Sequence, residues 1–139
     1  MKPVLKMAIA AVIGATGASA VSAQDAELGK EQFEQRCAVC HGIEGTGDGA
    51  VGELFAQKPK NLQLLAKDNG GVFPFIETYQ AIDGRRDIAA HGNTEMPIWG
   101  DYLMVEAIED RSINPKDARM IVEGRILSLV YYIQSIQNQ

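Results

Sequence analysis

Cysteine and histidine are scarce in this chain, with two of each among 139 residues. A structural zinc site normally takes four such ligands, so it would have to use every one of them. No basic patch is visible and the formal net charge is −5, which disfavours a nucleic-acid partner. Beyond the N-terminus, no apolar run reaches the roughly 20 residues that a membrane-spanning helix needs. There is no internal repeat, low-complexity tract or strong strand pattern. Gly42, Gly45, Gly47 and Gly49 crowd one stretch, yet the G-x-x-x-x-G-K-[ST] spacing of a phosphate loop is missing. What remains is an all-α chain with long loops.

The N-terminus has the pattern of a secretory leader. Lys2 and Lys6 precede the apolar run Met7–Ile13, and small residues follow up to Val21-Ser22-Ala23. Cleavage is expected after Ala23, with Ala20 as the alternative. The apolar run is too short to anchor in a membrane, and Gly14 and Gly17 interrupt its end. The expected division is therefore a signal peptide over residues 1–23 and one small domain over residues 24–139. Removing two lysines and no acid takes the net charge from −5 to −7. Such a domain is steered toward partners with a positive face.

Both cysteines lie in one string, Cys37-Ala38-Val39-Cys40-His41. A C-x-x-C-H run reads as a c-type haem attachment site. Two thiols three positions apart can each add across one haem vinyl group, and the next histidine then supplies the proximal iron ligand. A redox disulfide would place C-x-x-C in a thioredoxin-like βαβ context. Here the flanks read as helix and Gly-rich loop.

Gln24 to Val39 is expected to be the first helix, with the motif at or beyond its end. A short helical turn is expected near Leu62–Leu65, and a turn at Asp68–Gly71. Phe75, Tyr79 and Ile82 share a face of a helix over 73–82, ended by Gly84. The last helix starts with Asn114 as N-cap, Pro115 at its first position and Asp117 in its first turn. Ile126, Leu129, Val130, Ile133 and Ile136 form its apolar stripe. Asp101–Asn114 reads as a polar, solvated excursion, with a docking surface for one partner as the alternative.

A methionine on the second face of the iron would close it and raise its potential. Of the three methionines after the leader, Met96 stands in the loop string Glu95-Met96-Pro97-Ile98-Trp99-Gly100, where Pro97 holds it extended. Met104 and Met120 lie among helix formers and read as gap-filling core. His91 is the rival ligand and reads as a loop histidine. Trp99, Tyr79 and Arg85 are candidate donors to haem propionates.

Over nearly all of residues 24–139 the chain resembles the class I c-type cytochromes of bacteria. Cys37–His41 and Gly42, with Gly47-Asp48-Gly49, match that family's attachment region. Met96, Pro97, Trp99 and Gly100 match its sixth-ligand segment. Gly29 and Phe33, against Leu129 and Tyr132, match its pairing of terminal helices. Many relatives have proline where this chain has Ala50, and its carbonyl can orient the ligand histidine; which carbonyl serves here is left open. The resemblance implies the cytochrome c fold and one covalent haem c, with Cys37, Cys40, His41 and Met96 as cofactor contacts. His41 and Met96 would be the iron ligands, with no catalytic residue. It implies a periplasmic one-electron carrier rather than an enzyme, exchanging electrons with a redox-protein donor and acceptor. A haem-bearing subunit of a periplasmic oxidoreductase is the alternative, and a ligand-binding or peroxidatic haem protein a third.

Overall fold

The computed structural model describes residues 18–84, 96–111 and 113–138, and no strand occurs among them. His91 and Arg85, singled out above, lie outside these residues. Helix α1 spans Ala18–Arg36, so cleavage after Ala23 would leave Gln24–Arg36 as its mature part. The Cys37 amide donates to Phe33 O at 2.8 Å and the His41 amide to Cys37 O at 2.8 Å. The motif thus continues the helix as the single turn α2, Ala38–His41, instead of lying beyond it.

Irregular chain follows, with 3-10 turns at Gly52–Leu54 and Leu62–Leu64. The second turn is capped by the Asn61 side chain, which accepts from the Gln63 amide, and leads into α3, Leu65–Asp68. Helix α4, Phe75–Asp83, stops at Gly84, whose φ of 64° is the left-handed geometry that glycine tolerates. Helix α6, Pro115–Ser135, begins as its sequence predicts. The Asn114 side chain accepts from the amides of Lys116 and Asp117, each at 3.1 Å.

The expected solvated excursion is instead a helix, α5, over Trp99–Arg111. Leu103 and Ala107, four residues apart, are buried on one face, which gives this polar-looking stretch its hold on the core. Met120, read as core, is exposed, whereas Met104 packs partly buried against the core.

The core forms where α1 and α6 cross. A Cβ on Gly29 would overlap the Ser128 carbonyl and lie 2.9 Å from Tyr132 Cβ, so only glycine permits this approach. One turn on, Phe33 is fully buried with its ring 5.1 Å from that of Tyr132. Leu129 joins the same core, as do Val122, Ile126 and Ile133. Phe75 of α4 reaches α6 through Tyr131, ring to ring at 5.4 Å.

Polar contacts fix the remaining orientations. Glu106 of α5 accepts from Arg36 of α1 at 3.1 Å and from Arg125 of α6 at 3.2 Å, joining three helices. Gln137, just past α6, donates to Leu62 O at 2.7 Å and accepts from the Ala66 amide at 2.8 Å. Among the described residues no helix is long and apolar enough to cross a membrane.

Candidate functional site

The Cys37–His41 turn is held by the glycine-rich chain that folds back over it. The amides of Gly47, Gly49 and Val51 donate to the carbonyls of His41, Cys40 and Val39 at 2.7, 3.2 and 3.0 Å. These bonds satisfy carbonyls left open where the helical turn stops. Glycine is required for so close a fit. A Cβ at Gly49 would lie 2.5 Å from the Cys40 carbonyl carbon, and one at Gly52 would overlap the Cys40 oxygen and lie 2.7 Å from the Pro59 ring.

Behind the turn, His41 Nδ1 lies 3.3 Å from the Lys60 carbonyl oxygen. A carbonyl only accepts, so Nδ1 is the donor and Nε2 keeps its lone pair for a metal. Burial lowers the His41 pKa below the usual 6.5, with the Lys60 bond opposing, and this favours the neutral, ligating imidazole. The question left open at Ala50 is thereby answered: Ala50 is exposed, and the carbonyl beside His41 belongs to Lys60. Sequence reasoning missed Lys60, since a backbone carbonyl has no residue signature. Pro59 was its nearest clue.

Cys37 and Cys40 are both free and half-buried. Burial pushes the Cys37 thiol up to about 12, against the pull of Arg36 and with a smaller push from Cys40. A thiol that stays protonated is a poor partner in disulfide exchange, which counts against the redox-disulfide alternative. Among the described residues no group of three or more His, Cys, Asp or Glu could hold a metal ion.

Met96 is half-buried and packs against the core that Cys37 also borders. Trp99 and Tyr79 are half-buried against the same core, and Trp99 meets Tyr102 edge-on at 5.5 Å. With Leu62, Leu65 and Phe73 they give the core a partly exposed apolar border. Two free cysteines and a histidine with Nε2 free, next to such a border, form a donor set that fits a covalently attached haem.

A family model described as cytochrome c oxidase, cbb3-type, subunit III matches residues 24–110. The match covers the motif turn, the glycine-rich chain and most of α5, and ends before α6. No curated protein and no solved structure matches the chain.

Proposed function

This chain belongs to the cytochrome c oxidase, cbb3-type, subunit III family, a family of c-type cytochrome domains, and on that premise we propose that it is a periplasmic one-electron carrier with His41 and Met96 as axial ligands. Haem c and electron transfer come with the family. Haem c supplies a one-electron iron couple that needs no proton and no bond change in the protein. The observation that carries the residue assignment is the His41–Lys60 contact, which turns Nε2 of a motif histidine toward ligation.

Cys37 and Cys40 would hold the haem through two thioether links. The loop bonds from Gly47, Gly49 and Val51 hold the turn that carries both cysteines and His41. Met96, stiffened by Pro97, would supply a soft, neutral thioether to the iron, a ligand that favours the reduced state and leaves no open position for substrate. The protein is therefore read as a carrier and not an enzyme. The leader over residues 1–23 takes it to the periplasm.

Replacing Cys37 and Cys40 together by Ser should prevent stable holoprotein. Met96→Ala should lower the potential, abolish the far-red sulfur-to-iron band and open the iron to carbon monoxide. Retention of that band in Met96→Ala would reject the assignment.

The family's printed description favours a second reading, a haem-bearing subunit of an oxidoreductase complex. Native size separates the two. A protein that elutes alone from the periplasm supports the carrier, and co-elution with an oxidoreductase at fixed stoichiometry through high salt supports the subunit.

A further inference from the structure

Helix α5 carries apolar side chains on both of its sides. Leu103 and Ala107 face inward and are buried. Outward, Tyr102 and Val105 are 58 % and 52 % exposed, exposed Glu109 follows, and Ile98, just before the helix, is 50 % exposed. Positions 98, 102, 105 and 109 advance by four, three and four residues, so they form one stripe, opposite Leu103 and Ala107. The outer face of a surface helix is ordinarily polar, so contiguous apolar side chains there mark a face suited to a partner.

Charge decides what covers the stripe. Helix α5 contains Asp101, Glu106, Glu109 and Asp110 but only one basic residue, Arg111. Glu106 is engaged by Arg36 and Arg125, while Asp101 is exposed beside the stripe and Glu109 is exposed within it. A second copy docked by the same patch would bring these acids against their own kind. An anionic lipid surface meets the same repulsion. A protein face with an apolar centre and a lysine or arginine rim is attracted. Three apolar side chains also suit the small contacts of redox partners, under about 1,200 Å². The stripe begins two residues after Met96, and Tyr102 stands edge-on to Trp99 at 5.5 Å, so an occupant abuts the segment assigned to the second iron ligand.

We propose that the outward stripe formed by Tyr102, Val105 and Glu109 of α5, together with Ile98 just before it, is the docking surface for a redox protein with a basic-rimmed apolar face. The surface itself follows from the two-sided helix, and the redox nature of its occupant rests on the electron-transfer function above. One electron passes between the metal centres of the two proteins, and no bond is made or broken.

The test uses the full holoprotein, with a purified lysine-rich c-type cytochrome as probe. Electron exchange at low ionic strength is timed for Val105→Asn, Glu109→Lys and, as a control on exposed α6 surface, Met120→Asn. Each stripe variant should slow exchange by about tenfold while the control keeps the parent rate. Amide NMR shifts induced by the probe should cluster at residues 98–109. Shifts clustered at Val39–Leu54 with stripe variants at the parent rate would overturn the proposal, as would no shifts at all. A dimer that Val105→Asn disperses would assign the stripe to a second copy, and co-flotation with phosphatidylcholine vesicles that Val105→Asn abolishes would assign it to lipid; either overturns it. Failure to exchange electrons even with hexaammineruthenium would sink the electron-transfer reading instead, and the shift map would still judge the docking surface.

Discussion

At the scale of single residues, three glycines divide by what surrounds them. Gly29 sits where two helix backbones touch, and Gly52 is wedged between Cys40 and Pro59. Nothing lies within 4 Å of a Cβ built on Gly124, inside α6. Gly124→Ala should therefore raise stability by about 0.5–1 kcal/mol, since alanine has less backbone freedom to lose on folding. Gly29→Ala should lower it by about 1–3 kcal/mol through overpacking. Urea titration of the two holoproteins measures both, and shifts of the same sign would contradict this helix crossing. Gly29 was legible through the family resemblance, which sets Gly29 and Phe33 against Leu129 and Tyr132. Lys60 was not, because its side chain has no part in the contact. Met120 misled because the apolar stripe of α6 does not include it: with Glu123 and Leu127, also exposed, it takes spacings of three and four on the outer face.

Among elements, the junction at Glu106 holds α5 to its neighbours. Burial pushes this carboxyl up, but the hydrogen bonds and charges of Arg36 and then Arg125 outweigh it, and the pKa falls below the usual 4.5. A lowered carboxyl pKa contributes stability that is fully present above 4.5 and fades as pH falls through the folded-state value. Glu106→Gln should cost about 1–2 kcal/mol at neutral pH, with the side chain only 22 % exposed. The difference from the parent should narrow on acidification below 4.5, as thermal melts at several pH values would show. A gap independent of pH would remove charge from the explanation. Helix α6 was legible to its first residue, since Asn-Pro-x-Asp satisfies open amides and fixes φ locally. Helix α5 was not, because its outward apolar residues blur the 3.6-residue period that marks a half-buried helix.

For the molecule as a whole, stability and partner choice draw on different parts. Phe33 is at the centre of the crossing with none of its surface exposed, and Phe33→Ala should cost about 3–5 kcal/mol in a thermal or denaturant melt of the holoprotein. Partner choice draws on net charge. Electron exchange with a basic partner should slow steadily from low to physiological ionic strength, where the Debye length is about 8 Å. A rate indifferent to salt would leave no role for the acidic surface. The all-helical fold was legible from the missing strand pattern and the stripes of α4 and α6. The path of the chain over the motif was not, because close backbone approach leaves only glycines as its trace. The crossing of α1 with α6 also sets an order of events in the life of each molecule. Gln32 bonds Ser128 across 96 positions of sequence, so the helix made first is gripped by the helix made last. A growing chain possesses Cys37 and Cys40 long before it possesses Tyr132. Until α6 is complete, the core that half-buries Cys37 cannot close, and both thiols stay within reach of whatever joins them to their cofactor. Docking of α6 on α1 is thereby what half-buries Cys37, so a chain cut short before α6 would leave that thiol uncovered.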